Sequence, residues 1–150
     1  MMMRPMEEED ILQVEAIEKE LFGDPWPAEA FRESLKQPEA RFLIAQEPDK
    51  GIVGYCGSYR ALDEAEIVNV AVRDDCRNQG IGSRLVEKLI QEDALDGVRY
   101  FILEVRQSNF AAQHVYEKLG FAKIGIRKRF YDRPVEDAVI MQKEIITADE

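Results

Sequence analysis

Glu104 is a carboxylate inside an apolar run, Phe101-Ile102-Leu103-Glu104-Val105. The run has the composition of a β-strand, and strand alternation places Glu104 on the same face as Tyr100 and Ile102. A carboxylate in such a strand costs free energy unless it is paired or used. Burial raises the pKa of a carboxyl group toward values that suit a general base. The alternative is a strand-end glutamate that faces solvent or pairs with its neighbour Arg106.

A glycine-rich loop is the second candidate site. Arg77-Asn78-Gln79-Gly80-Ile81-Gly82 directly precedes a strongly amphipathic helix. The free N–H groups of a first helical turn and the helix dipole favour a phosphate, and glycines let it approach the backbone. The loop lacks the Gly-Lys-Ser/Thr of a P-loop and the third glycine of the dinucleotide fingerprint. Taken alone, the two glycines are also explained by a tight turn that binds nothing.

Tyr116 is the third candidate. It lies on a helical stripe with Ala112, Val115 and Leu119, whose spacing is typical of a core-facing side. The stripe favours a core aromatic, and the phenol is also a candidate proton donor.

Periodicity and turn residues place these candidates in a chain of mixed α+β class. Helices are predicted over 9–21, around Phe31 and Leu35, from Ile81 to a stop at Asp96-Gly97, and from a cap at Ser108 or Asn109 to Leu119, with Gly120 as the left-handed C-terminal cap. Strands are predicted over 41–46, 52–59, 66–72, 98–105, 122–130 and 137–145. The first two strands form a hairpin, and 98–105 is apolar on both faces, which predicts a central buried strand.

The composition predicts one globular domain over residues 1–150, without metal or disulfide support. A net charge of −10 argues against direct binding of nucleic acid, and it suits a basic partner as well as it suits simple solubility. The absence of a long apolar run and of a basic, apolar leader predicts a cytoplasmic protein with no membrane partner. Cys56 and Cys76 are expected to be reduced thiols, and no residue set has metal-ligand spacing.

Arg77-x-x-Gly80-x-Gly82, between a strand ending Asn69-Val70-Ala71-Val72 and a long helix, resembles the pyrophosphate loop of the GNAT N-acetyltransferases. The resemblance implies a three-layer GNAT-like fold, in which a twisted, mostly antiparallel sheet with splayed central strands is flanked by helices. It also implies that acetyl-CoA is the cosubstrate. The backbone of Val70, Ala71 and Val72 would then pair with its pantetheine arm like an added strand.

Further motifs resemble the ribosomal-protein-alanine acetyltransferases, the RimI type. They are Leu103-Glu104-Val105-Arg106, Ser108-Asn109-x-x-Ala112, Val115-Tyr116-x-x-Leu119-Gly120-Phe121 and Pro25-Trp26, and the match spans most of residues 11–141. The resemblance implies that Glu104 is the proton acceptor and Tyr116 the donor to the departing thiolate. It assigns cofactor contacts to Val70, Ala71, Val72, Arg77, Asn78, Gln79, Gly80, Ile81, Gly82, Ser83, Asn109 and Tyr116. Cys76 and Phe110 depart from the pattern, and Phe110 could alter the cofactor channel.

Two other features have simpler explanations. His114, the single histidine, lies off the helical stripe and is expected at the surface. Arg127-Lys128-Arg129 and Arg133, near Tyr131, are explained by an exposed hairpin, or they could meet an acidic peptide or the cofactor's 3′-phosphate.

The sequence therefore predicts an N-acetyltransferase, acting by direct attack on the α-amine of an alanine or serine at the N-terminus of a protein such as a ribosomal protein. The peptide is expected near Trp26, Tyr131 and the acidic first helix, on a monomer or weak dimer. Two alternatives stay open. One is a GNAT that acetylates a small amine, a polyamine or a lysine side chain, and the other is a non-catalytic acyl-CoA-binding module.

Overall fold

The computed structural model describes residues 1–132 and 134–146. The strands are β1 (Met2–Pro5), β2 (Ala40–Glu47), β3 (Gly51–Ala61), β4 (Glu64–Val72), β5 (Tyr100–Arg106), β6 (Ala122–Tyr131) and β7 (Glu136–Glu144). The helices are α1 (Ile11–Leu21), α2 (Ala28–Leu35), α3 (Ile81–Leu95) and α4 (Phe110–Lys118), with short 3₁₀ turns at Glu8–Asp10 and Asp74–Cys76. All the predicted helices and strands are present within a few residues of their expected ends.

The described strands form one seven-stranded sheet in the order β1-β2-β3-β4-β5-β7-β6. Neighbouring strands are antiparallel except for β4 and β5, which are parallel and joined by the crossover helix α3. The predicted hairpin of β2 and β3 is confirmed, and β4, α3 and β5 form a strand–helix–strand unit. The fold is therefore the mixed, mostly antiparallel GNAT-like sheet that the sequence predicts.

β1 was not predicted. It is a four-residue edge strand whose Met2 to Pro5 pair with Gln46 to Leu43 of β2. Its methionines carry little strand signal, and a proline is tolerated at a sheet edge because no ladder partner needs its missing N–H. Only pairing with β2 makes this segment a strand.

Two hydrophobic clusters cover the two faces of the sheet. On one face, α3 buries the apolar stripe that its sequence predicts, Ile81, Leu85, Val86, Leu89 and Ile90, against Phe101, Leu103 and Val105 of β5. On the other face, α1 and α2 pack on β2, β3 and β4 through residues such as Val14, Ile17, Phe31, Phe42 and Tyr55.

The prediction that β5 is buried on both faces is wrong on one of them. Phe101, Leu103 and Val105 are buried beneath α3, but Ile102 and Glu104 on the opposite face are only partly covered. The reason is that α1 and α2 pack on β2, β3 and β4. The side of β5 that carries Glu104 is consequently open to an incoming molecule.

The α4 stripe also needs a correction. Val115 is exposed, whereas Gln113 is buried and donates to the backbone carbonyls of Arg106 and Gln107 at 3.2 and 3.0 Å. The other three residues of the stripe, Ala112, Tyr116 and Leu119, pack against the α3 cluster as predicted, and Gln113 ties α4 to the end of β5. The predicted caps are confirmed: Asn109 accepts from the N–H of Ala112 at 3.1 Å, and Gly120 has φ +99°.

Candidate active site at the splayed strands

The parallel pairing of β4 with β5 is short. It runs from Glu64–Tyr100 to Glu66–Ile102 and then stops, although both strands continue. β4 turns away through a bulge, in which Asn69 has a left-handed φ of +54° and the register against β3 shifts between Val68 and Ala71. The predicted splayed central strands are therefore present, and beside Glu104 the two strands no longer pair with each other.

Glu104 lies two residues beyond the last β4–β5 pair, on the face that α1 and α2 share. Its side chain is 9% exposed, and Arg127 Nη1 is 3.4 Å from its Oε1 atom. Burial raises the pKa of the Glu104 carboxyl, the negative charge of Glu66 raises it further, and Arg127 lowers it. The direction agrees with the sequence-based expectation for a buried carboxylate.

The alternative pairing of Glu104 with Arg106 is wrong. The Arg106 guanidinium instead contacts Glu136 at 3.2 Å and donates to the carbonyls of Pro134 and Asp132. Arg106 follows Glu104 by two residues and lies on the same face of β5, but these contacts hold its guanidinium at the turn between β6 and β7. Arg127, from a strand two places away in the sheet, supplies the cation.

Tyr116 lies on the other face of the sheet. It packs against the cluster that contains Leu103 and Val105, and its ring is 5.9 Å from that of Phe121. Burial raises the pKa of the Tyr116 phenol, so the group is protonated at neutral pH. Its hydroxyl has no hydrogen-bond partner among residues 1–132 and 134–146. In the same residues, every fully buried polar side-chain atom does have a partner. The hydroxyl therefore reaches accessible space.

Tyr131 links the two faces electrostatically. Burial, followed by the charge of Glu104, raises the pKa of Tyr131 to about 12, and Tyr131 in turn contributes to the raised pKa of Tyr116. Arg106 Cζ lies 4.4 Å from the centre of the Tyr131 ring. From the sequence, Tyr131 was expected only to lie near the peptide substrate. The sequence did not indicate that Glu66 would lie near Glu104.

The glycine loop has the geometry of a backbone anion site. Gly80 precedes α3 with φ +76°, and no side-chain oxygen caps the helix, so the N–H groups of its first turn face outward. A Cβ atom added at Gly80 would meet nothing within 4 Å, and one added at Gly82 would meet only Val72 at 3.5 Å. Arg77 pairs with Asp74 at 3.1 Å and leaves the approach open.

The predicted cofactor residues occupy the α3 side of the sheet. Val70 and Val72 point toward the α3 cluster from the splayed end of β4, and Ala71 is buried on the other face. Asn109 uses its side-chain oxygen as the cap of α4, which leaves its amide group for other contacts. The structure thus brings the β4 end, the glycine loop and Tyr116 to one face, with Glu104 on the other.

The remaining candidates lie at the surface. His114 is exposed, as predicted, and so are Arg127, Lys128 and Arg129, whereas Arg133 lies outside the described residues. Phe110 is also exposed and lines a groove of about 300 Å³ between α4 and β6, which contains none of the predicted site residues.

Cys56 and Cys76 are buried free thiols. In the part of the chain that the structure describes, no cluster of His, Cys, Asp or Glu could hold a metal ion, and no helix is long and apolar enough to span a membrane.

Comparisons with known proteins agree with this geometry. The Acetyltransferase (GNAT) family model matches residues 11–121. A Bacillus subtilis protein, provisionally named a ribosomal protein bS18-alanine N-acetyltransferase, is 39% identical over 139 residues, which cover 92% of this chain and 91% of that protein. The Escherichia coli ribosomal protein bS18-alanine N-acetyltransferase is 35% identical over 138 residues, which cover 91% and 92%.

Solved structures give the same result. The crystal structure of the ribosomal-protein-alanine N-acetyltransferase from Escherichia coli superposes with a TM-score of 0.89 at 32% identity, covering 98% of this chain and 95% of that one. An Arabidopsis thaliana protein crystallised with acetyl-CoA shares the fold, with a TM-score of 0.86 at 17% identity and coverage of 96% and 98%. The chain belongs to the GNAT family of acetyltransferases and is an N-acetyltransferase that resembles the ribosomal-protein-alanine enzymes.

Proposed function

We propose that this enzyme transfers the acetyl group of acetyl-CoA to the α-amine at the N-terminus of a protein, with Glu104 as proton acceptor and Tyr116 as proton donor. The observation that carries the proposal is the position of these two side chains on opposite faces of the sheet, where β4 and β5 splay apart. The amine substrate and acetyl-CoA could then approach each other from opposite sides of the sheet, without displacing either helix layer.

The residues on the α3 side fit acetyl-CoA. The outward N–H groups and the dipole of α3 favour binding of a pyrophosphate. The space in front of Gly80 and Gly82 is free, and a side chain at either position would narrow it. The unpaired edge of β4 beyond Glu66 offers its backbone to an extended pantetheine arm. Acetyl-CoA supplies the thioester that the amine attacks.

The pKa values of Glu104 and Tyr116 are shifted in the directions that favour the proposed roles. The pKa of an unperturbed α-amine is about 8, so a modest fraction is neutral at pH 7, and a nearby carboxylate can remove the proton released by attack. The raised pKa of Glu104 makes it a stronger base than an exposed glutamate. The raised pKa of Tyr116 keeps its proton in place for the leaving thiolate.

The acceptor is proposed to be an N-terminal alanine or serine of a protein such as a ribosomal protein. The Bacillus subtilis and Escherichia coli relatives are named for acetylation of an alanine of a ribosomal protein. This chain matches more than nine-tenths of the length of each. The peptide would lie on the open face near Trp26, Tyr131 and α1. We further propose that residues 1–150 act as one cytoplasmic domain, as a monomer or weak dimer.

The decisive experiment measures thiol release from acetyl-CoA with matched peptides. A peptide with a free N-terminal alanine is compared with the same peptide whose N-terminus is blocked and whose lysines are kept. We expect turnover only with the free α-amine. Equal rates would favour the lysine alternative, turnover with a polyamine alone would favour the small-amine alternative, and binding of acetyl-CoA without thiol release would favour the non-catalytic module.

A second experiment tests the glycine loop by calorimetry with acetyl-CoA. Gly82→Val places a branched side chain beside the outward N–H groups, and we expect the affinity to fall by at least tenfold. Glu87→Val is the matched control, because it puts the same side chain on the exposed face of α3. Unchanged affinity in a folded Gly82→Val protein would contradict the proposed pyrophosphate site.

A further inference from the structure

Glu18 is a buried carboxylate that the proposed chemistry does not use. It lies on α1 with only 2% of its surface exposed, and within the described residues it has no cationic partner. Burying a carboxylate without a cation costs free energy unless hydrogen bonds replace its water. Its neighbours must therefore be arranged to donate to it.

Three donors from three separate segments meet on this one carboxylate. The Tyr55 hydroxyl of β3 donates to Oε1 at 2.9 Å, and the Asn69 side-chain amide donates to the same oxygen at 3.3 Å. The backbone N–H of Trp26, in the loop between α1 and α2, donates to Oε2 at 2.9 Å. Tyr55 belongs to the rigid sheet, whereas Asn69 and Trp26 belong to the two irregular segments beside the site.

Asn69 is the residue that forms the β4 bulge. Tyr55 pairs with Ala71 and Gly57 with Val68, so Asn69 and Val70 together lie opposite a single residue of β3. Asn69 has φ +54°, a conformation that asparagine adopts more readily than other non-glycine residues. The bond to Glu18 holds the amide in this orientation, and the bulge directs the following residues away from β5.

Trp26 lies on the acceptor side. Its ring packs against Phe31 at 5.2 Å and Phe42 at 6.2 Å, which fixes the side chain, while its N–H bond to Glu18 fixes the backbone. Two prolines flank Trp26 and remove their own N–H groups from any network in this loop. Glu18 is thus the acceptor that ties this backbone to α1.

We propose that Glu18 is a positioning residue that holds the β4 bulge, and with it the acetyl-CoA edge, in register with the Trp26 loop that borders the peptide. The inference rests on the proposed function, since it assigns the two segments to the two substrates. Glu18 itself touches neither substrate. Its removal should loosen both segments together, whereas removal of Asn69 should loosen only the bulge.

The test compares three variants by melting temperature, calorimetric affinity for acetyl-CoA, and peptide KM and kcat. Asn69→Gly removes the amide but keeps the left-handed backbone accessible. Glu18→Met keeps the length of the side chain and removes all three acceptor contacts. Glu18→Gln is the conservative variant, because its oxygen can accept from Trp26 while its amide donates to the Tyr55 oxygen and to a flipped Asn69.

We expect Asn69→Gly to weaken acetyl-CoA binding roughly tenfold, in line with the loss of one hydrogen bond to a charged group, with an unchanged peptide KM. Glu18→Met should weaken acetyl-CoA binding and raise the peptide KM as well, and Glu18→Gln should recover both to within about threefold. A purely structural role would lower the melting temperature of Glu18→Met and leave both affinities at their original values.

Unchanged acetyl-CoA affinity in a folded Asn69→Gly protein would overturn the inference, even if Glu18→Met does not fold. Calorimetry with acetyl-CoA alone needs no acceptor peptide, so failure of the inference is separate from failure of the proposed function. An unmodified protein that binds acetyl-CoA but acetylates no peptide would refute the proposed function and the peptide side of the inference, and the acetyl-CoA affinities of the variants would still decide whether Glu18 holds the β4 bulge. An unmodified protein that does not bind acetyl-CoA would refute both.

Discussion

Two carboxylates lie near the splayed ends of β4 and β5, the buried Glu18 and the partly covered Glu104, and their surroundings differ. Glu18 accepts three hydrogen bonds from uncharged donors, which occupy both of its oxygens. Glu104 accepts no hydrogen bond within the described residues and has a single ion pair, with an exposed arginine at 3.4 Å. A carboxylate whose lone pairs are taken is fixed in place, whereas one with free lone pairs and a raised pKa can accept a proton. The same chemical group therefore has surroundings that suit the positioning role proposed for Glu18 and the proton-accepting role proposed for Glu104.

Glu104→Gln should have the largest effect on turnover. The amide cannot accept the proton, so we expect kcat/KM to fall by about 10²–10⁴-fold. The melting temperature should hold or rise slightly, because the raised pKa means that the Glu104 charge disfavours the fold at neutral pH. Steady-state kinetics and thermal unfolding on one preparation measure both, and a wild-type kcat/KM would remove Glu104 from the mechanism.

Tyr116→Phe should have the next largest effect. It keeps the ring that packs against Phe121 and removes a hydroxyl that has no partner in the described structure, so packing and acetyl-CoA affinity should survive. We expect kcat to fall about 10–10³-fold, since the leaving thiolate loses its proton donor. Single-turnover rates, which report the chemical step, provide the measurement. Normal single-turnover rates with a lower melting temperature would make Tyr116 a core residue only.

Glu66 and Arg127 should move the pH profile in opposite directions. Glu66 raises the pKa of Glu104 and Arg127 lowers it. In the proposed mechanism the activity rises with pH as Glu104 loses its proton. Glu66→Gln should therefore shift the acidic limb of kcat/KM to lower pH, and Arg127→Gln should shift it to higher pH. Profiles of kcat/KM against pH for both variants test the sign, and two shifts in the same direction would contradict the assignment of this limb to Glu104.

Tyr55→Phe should have the smallest effect on turnover and a clear effect on stability. It removes one donor to Glu18 but leaves the bonds from Asn69 and Trp26. A hydrogen bond to a charged group contributes about 1.5–3 kcal/mol, so the melting temperature should fall by roughly 3–10 °C. Both substrate affinities should stay near their original values. A marked loss of turnover would mean that Glu18 requires Tyr55 to hold the other two segments.

Sequence patterns predicted the cofactor side of the site in more detail than the acceptor side. The loop around Gly80, the cap at Asn109 and the turn at Gly120 are local features, and each is specified by a few consecutive residues. Glu104 became a candidate because its own strand is apolar around it. Arg106 was considered only as an alternative partner because it is close in sequence, and in the structure the cation is Arg127, which is 23 positions away. Local periodicity contains no information on such a partner.

The sequence by itself determined the order of helices and strands, the glycine loop at the start of α3 and the caps of α4, because those depend on short-range periodicity and local backbone preferences. It also indicated the family, through the resemblance of its motifs. Only the tertiary structure decided that Met2–Pro5 is a strand, that Gln113 rather than Val115 is buried, that Glu66 and Arg127 flank Glu104, and that Glu18 gathers donors from Trp26, Tyr55 and Asn69. Each of these depends on residues far apart in sequence that become neighbours only when the sheet assembles and the helices pack on its two faces.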